Sequence, residues 1–272
     1  MRSNCAVPVL LALMGASAHA ADNESANTGF VNFGFTVEGA ERTAALFVPP
    51  DYDDSKRWPL IVYLHGGGGN GDNNGNALTE RFHRQPLVQH VRKHPERFPA
   101  LVAFPRCPKG KIWSPMPANP VQSSWRLERH GRDPVPDAED HMTSLIDAVI
   151  AEFAVDQDRV VITGSSMGGE GSIRYAALHP ERIAAVASVS GSATIVLGDA
   201  PVLAKMGVWL FQGETDHIST APLAKRMVAA IQGNSGNPRY TEFAGVGHAI
   251  ARRVYEDPEV IAWMLDQKRR RK

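Results

Sequence analysis

Five short runs of almost unbroken apolar residues constrain this chain more than any other feature: residues 59–65, 100–104, 159–163, 184–189 and 208–211. A strand with water on one face alternates apolar and polar side chains. A strand that is apolar throughout has both faces covered, the situation in a parallel sheet between helical layers. Between these runs the period changes. Met142, Leu145, Ile146, Val149, Ile150 and Phe153 recur at spacings of three and one, which puts them on one helical face, with Asp137 as N-cap. Leu223, Met227, Val228 and Ile231 form a second such face. Asp257-Pro258 opens a last helix that turns Val260, Ile261 and Met264 inward. Strands alternating with helices predict an α/β fold, a mostly parallel sheet flanked by helices on both faces with right-handed crossovers. Residues 239–243 are more polar, as an edge strand is. Ahead of all this, residues 30–37 and 43–48, separated by Glu38-Gly39-Ala40-Glu41, predict an N-terminal antiparallel hairpin.

The 272 residues are 43% hydrophobic, enough for one large core. No repeat or linker divides residues 21–272, which read as a single domain. Lys+Arg and Asp+Glu balance at 29 each, which argues against a dedicated nucleic-acid binder; the basic residues 268–272 read as a solvated tail. Residues 1–20 carry Arg2, an apolar run over 6–14 and then Ala18-His19-Ala20, the layout of a secretory signal peptide cleaved after Ala20. The run is too short to span a bilayer. The expected destination is therefore secreted or periplasmic, with no membrane association after cleavage. Cys5 leaves with the leader. Cys107 then stands alone and reads as a loop or core thiol.

The chemistry concentrates in Gly164-Ser165-Ser166-Met167-Gly168, a G-x-S-x-G directly after a strand run and before a helical stretch over 166–179. A serine in so tight a turn has a strained backbone and needs small neighbours, which Gly164 and Gly168 supply. The turn lifts the Ser166 hydroxyl over the sheet edge and sets it at a helix N-terminus. A hydroxyl needs a base to become a nucleophile. If the order is serine, acid, histidine, the candidates are Asp216, just past the strand at 208–211, and His248, in the glycine-rich loop after 239–243. Both fall at the carboxyl edge of the sheet, where such sheets bind ligands. Glu214 and then Asp199 are the rival acids. The Met167 N–H and the Gly67 N–H are the expected oxyanion donors, with Gly66 the second choice after Gly67.

Other patterns carry less. Gly66, Gly68 and Gly71 match G-x-G-x-x-G formally, but Asp72-Asn-Asn-Gly-Asn follows where a dinucleotide site has a helix. Asp72, Asn74 and Asn76 resemble the start of a calcium loop, yet Ala77 and His83 stand where its glycine and glutamate belong. His90 and His94 share a helix face with no third ligand, and a solvated surface role fits them better than zinc. Residues 105–136 are rich in proline and lack periodicity, and a loop this long is usually functional. It is the expected wall of the site, where Trp113 and Trp125 stack on substrate rings or pin the loop to the core.

With those residues in view, the chain resembles the α/β-hydrolase superfamily. It resembles more narrowly the secreted carboxylesterases related to polyhydroxybutyrate depolymerases and feruloyl esterases, often labelled predicted peptidases. The resemblance rests on Leu64-His-Gly-Gly-Gly-Gly69, Asp158-Arg-Val-Val-Ile-Thr-Gly-Ser-Ser-Met-Gly-Gly169, Leu178-His-Pro-Glu-Arg-Ile183, Phe211-Gln-Gly-Glu-Thr-Asp216 and Arg239-Tyr-Thr-Glu-Phe-Ala-Gly-Val-Gly-His248. It implies Ser166, Asp216 and His248 as a triad, with no cofactor and no metal. Two positions depart from the pattern. Relatives often carry His where this chain has Gln212, and an aromatic residue where it has Ala249-Ile250. The expected function is an exported serine hydrolase that cleaves a carboxylic ester through an acyl-enzyme. Acetylated xylan, feruloylated polysaccharide, polyhydroxyalkanoate and short acyl esters all fit as substrates. A peptidase with the same triad and an inactive hydrolase fold used as a binding module are the alternatives.

Overall fold

The computed structural model describes residues 29–71, 75–116, 120–124, 127–128 and 136–269. The expected signal peptide and Trp125 lie outside them, as do Asp72 and Asn74. In chain order the strands are β1 (Phe30–Val37), β2 (Ala40–Phe47), β3 (Trp58–Leu64), β4 (Leu101–Phe104), β5 (Val121–Gln122), β6 (Val155–Ser165), β7 (Ala185–Val189), β8 (Thr194–Ile195), β9 (Gly207–Gly213) and β10 (Arg239–Phe243). The helices are α1 (Glu80–His83), α2 (Pro86–Lys93), α3 (Glu139–Glu152), α4 (Met167–Leu178), α5 (Ala200–Leu203), α6 (Ala221–Gly233), α7 (Ala251–Glu256) and α8 (Pro258–Asp266). Eight strands form one sheet in the order β1-β2-β4-β3-β6-β7-β9-β10. The β1–β2 and β2–β4 pairs are antiparallel and the remaining pairs parallel. Among the described residues no helix is long and apolar enough to cross a membrane.

Each unbroken apolar run divides its side chains between two cores, as a strand covered on both faces must. In β3, Leu60, Val62 and Leu64 enter one core, while Ile61 and Tyr63 enter the other. In β9, Val208 and Leu210 take the first core, Trp209 and Phe211 the second. The first is closed by α3 through Met142, Leu145, Ile146 and Val149, and by α4 and α6. The second is closed by α2, α7 and α8, the last through Val260, Ile261 and Met264. Each fully buried Leu, Ile or Val contributes about 1.5–3 kcal/mol, so these two layers far outweigh any single polar contact in holding the sheet.

The details differ from expectation where turn chemistry intervenes. The hairpin closes on two residues rather than four: Glu38 (φ 49°) and Gly39 (φ 80°) are both left-handed, and Val37 pairs with Ala40. That is the type I′ geometry whose twist matches the strands it joins. β6 runs well beyond its apolar stretch, starting at Val155, with a register irregularity opposite β3 between Trp58 and Leu60. Asp137 accepts the Glu139 N–H at 3.1 Å, capping α3 one residue outside the N-cap position. Asp257 caps α8 as expected, accepting from the Glu259 N–H at 2.9 Å. His90 is a correction: it is buried against Phe98, with ring centroids 5.7 Å apart, rather than solvated.

Candidate active site

Ser166 sits between the end of β6 and the start of α4 with φ 57° and ψ −120°. A non-glycine residue in this sparsely populated region costs about 1–3 kcal/mol and persists only where its surroundings over-determine it. Here the Ser166 N–H donates to the Val189 carbonyl at 2.8 Å, and its carbonyl accepts the Glu170 N–H at 3.0 Å. The glycines act by backbone contact. A Cβ on Gly164 would lie 2.4 Å from the Gly168 oxygen, and one on Gly168 only 1.9 Å from the Leu64 oxygen. No side chain larger than hydrogen fits either position.

Asp216 and His248 reach Ser166 from two separate loops. The loop after β9 is laced to the loop after β10: the Glu214 N–H donates to the Phe243 carbonyl and the Thr215 N–H to the Val246 carbonyl, each at 3.0 Å. Against this frame the His248 Nδ1 stands 2.7 Å from Asp216 Oδ2, and Nε2 stands 2.8 Å from Ser166 Oγ. A carboxylate only accepts, so Nδ1 carries the proton; Nε2 is then a bare lone pair that accepts the serine hydroxyl. The Ser190 hydroxyl donates to the His248 carbonyl at 3.0 Å and fixes the backbone of that loop. Burial pushes the Asp216 carboxyl up, but the hydrogen bond and charge of His248, with the Ser219 and Ile218 amides, outweigh it and hold its pKa below the usual carboxylate value.

The rival acids are occupied elsewhere. The exposed Glu214 carboxylate accepts the Gly245 N–H at 2.7 Å, so it clamps the two loops together. Asp199 pairs with Arg174 on α4 at 2.5 Å. Met167 is the first residue of α4, and its N–H is one of the four with no acceptor inside the helix. The glycine loop after β3 passes directly beside the serine: a Cβ on Gly66 would lie 3.4 Å from Ser166 Cβ. Gly66 thus borders Ser166, with Gly67 next in the chain.

His65 holds that loop in place. Its Nε2 accepts the Cys107 N–H at 3.0 Å, which puts the ring proton on Nδ1, 2.7 Å from the Gly66 carbonyl it donates to. Burial lowers its pKa to about 4, so the ring is neutral at pH 7. Trp113 is a correction to the substrate-stacking expectation. It is fully buried, its Nε1–H donates to the His65 carbonyl at 2.8 Å, and a Cβ on Gly171 would strike its own Cβ at 2.3 Å. It pins the start of the 105–136 segment to α4 and leaves no ring face for a ligand. Cys107 is a core thiol pushed up to about 12 by burial. Sequence reasoning missed His65, Ser190 and the bonding of Gln212. Of these only Gln212 had shown a signal, as a departure from the pattern of its relatives.

The strand order and the strained serine turn are those of the α/β-hydrolase superfamily. Residues 36–238 match the model of the Esterase family, described as "Putative esterase", and the chain belongs to that family. The match ends short of His248. A thermostable esterase is 27% identical with a TM-score of 0.68; the alignment covers 89% of this chain, which spans 64% of that one's length. An S-formylglutathione hydrolase from Agrobacterium tumefaciens aligns over 91% of this chain and 99% of its own, at 15% identity and TM-score 0.62. A feruloyl esterase module from Clostridium thermocellum, complexed with sinapinate, aligns over 92% and 93% at 14% identity and TM-score 0.60. A comparison with curated proteins found no match.

Proposed function

We propose that the protein is an exported serine hydrolase that cleaves carboxylic esters through an acyl-enzyme. The observation that carries the reading is the unbroken hydrogen-bond line from Ser166 Oγ through His248 to Asp216. Ser166 Oγ attacks the ester carbonyl while its proton passes to His248 Nε2. Asp216 orients the ring and stabilises the imidazolium. The Met167 and Gly67 amides receive the oxyanion of the tetrahedral intermediate. His248 then protonates the departing alcohol, and the acyl-enzyme is hydrolysed by water activated by the same imidazole. Products are a carboxylic acid and an alcohol. Membership of the esterase family supports ester over amide as the scissile bond. The substrate class we favour is an acyl, feruloyl-polysaccharide or polyester-type ester, in keeping with the resemblance of the chain. Export rests on Arg2, the apolar run at 6–14 and Ala18-His19-Ala20.

The test is a panel of matched esters and amides assayed with the wild type and Ser166→Ala. The variant should stay folded, lose its label from a fluorophosphonate probe, and lose turnover by at least about ten-thousand-fold. Substantial ester turnover in a folded Ser166→Ala would sink the assignment of the nucleophile. Comparable turnover of amides by the wild type would replace esterase with peptidase.

A further inference from the structure

Gln212 lies in β9 directly before Gly213, with its side chain buried. Its Nε2 donates to Asp216 Oδ2 at 2.9 Å and also to the Ser219 carbonyl. Its Oε1 accepts the Ser192 hydroxyl at 2.7 Å. Chemistry fixes which way the amide faces: turned over, Oε1 would meet a carboxylate and a carbonyl, neither with a proton to give. Asp216 Oδ1 meanwhile accepts the Ile218 and Ser219 amides at 2.9 and 3.0 Å. With His248, the carboxylate then has two donors on each oxygen, its full set of lone pairs. A proton added to Asp216 would have no acceptor and would have to displace one of these donors.

We infer that Gln212 is a positioning residue: it holds the Asp216 carboxylate turned toward His248, and being a neutral amide it does so without adding a charge to the line. The inference rests on the proposed roles of Ser166, His248 and Asp216. Without the Gln212 N–H, Oδ2 would be bonded to His248 alone and more basic toward the imidazolium proton, and the turn of the carboxylate would rest on the two amides at Oδ1. Few other groups disturb the pair. The exposed Glu214 and His217 share the Asp216 loop, Ser190 and Ser192 after β7 are neutral, and Thr220 before α6 is neutral. Among the described residues His248 is the charge that acts on the Asp216 carboxyl.

The experiment compares Gln212→Met, Gln212→Glu and Ser192→Ala with the wild type on one short-chain ester, with active sites counted by fluorophosphonate titration. Gln212→Met should lower kcat about tenfold, the equivalent of one buried hydrogen bond, with KM little changed. Gln212→Glu sets a second carboxyl against Asp216, and its charge should move the acid limb of kcat/KM up by about one pH unit. Ser192→Ala frees Oε1 without touching Asp216 and should lower kcat about threefold, with Ser192→Thr restoring it. It carries the test if both Gln212 variants fail to fold. A lower melting temperature with kcat and the acid limb unmoved would make Gln212 a packing residue and overturn the inference. Active Ser166→Ala would instead overturn the triad, so the two failures are distinguishable.

Discussion

On the serine side of the site, backbone meets backbone. Gly168 lies so close to Leu64 that a Cβ would come within 1.9 Å of its oxygen, and Ser166 is held at φ 57° by backbone hydrogen bonds, its N–H donating to Val189 and its carbonyl accepting from Glu170. On the imidazole side, polar side chains carry most of the arrangement: Asp216 is held by His248, Gln212 and two amides, and Glu214 ties its loop to Gly245. Gly213, whose Cβ would meet the Gly247 oxygen at 2.2 Å, repeats the steric logic there. Close packing is intolerant of volume, and hydrogen bonds are intolerant of chemistry. The two halves should therefore fail differently, the first by losing the fold and the second by losing the rate.

The sharpest way to break that contrast is Gly168→Ala. A methyl at 1.9 Å from a carbonyl must push β3 and α4 apart, and the expected cost is above about 3 kcal/mol. It is read as loss of soluble protein or a large fall in melting temperature. A variant as stable as the wild type would mean that the serine turn yields, and the distinction would fail. Next comes Asp216→Asn, which should keep its melting temperature near that of the wild type while kcat falls by about ten-thousand-fold, the scale seen when the acid of a serine-protease triad is made neutral. Glu214→Gln, on the same loop and just as acidic in the sequence, should change kcat by less than about threefold, because an exposed clamp contributes little. Reversal of that pair in a kinetic comparison would exchange the acid.

The smallest expected effect is on stability against pH. Burial lowers both His65, beside the serine, and His141, under β1, from 6.5 to about 4. The unfolded chain takes up these protons as pH falls through 6.5, whereas the folded chain resists until about 4. Stability is therefore full above the upper value and declines toward the lower one. Melting curves across that window should fall, and His141→Phe, which keeps an aromatic ring against Phe35, should flatten part of the slope. An unchanged slope would mean that His141 takes up its proton in the folded state as easily as in the unfolded one.

The same contrast governs how much could be read in advance. The doubly apolar runs, the helical faces and the hairpin were legible because period and burial are local properties, as β3 and α3 show by sending their residues to the expected cores. Gly164 and Gly168 were legible too, since a tight strand-to-helix turn announces its steric needs within five residues. His248 and Asp216 could be nominated from strand ends. That they lie 2.7 Å apart, and that Glu214 does not take the same place, follows from how the loops after β9 and β10 interlock. Trp113 was ambiguous in the sequence because an indole serves core and ligand equally well. Its burial was settled by the approach of Gly171, which lies 58 positions further on.

What the chain order alone determines is therefore the layered sheet, the strained serine and the small neighbours it demands, all announced by local patterns: the period of the apolar residues and the five residues of the G-x-S-x-G turn. Only the tertiary structure decided the rest: the partners of His65, the amide of Gln212 locked on Asp216, and which of three acidic residues meets His248. The first and the last depend on bringing distant loops within hydrogen-bond reach, and the second on how a single loop turns back on its strand, none of which a local pattern encodes.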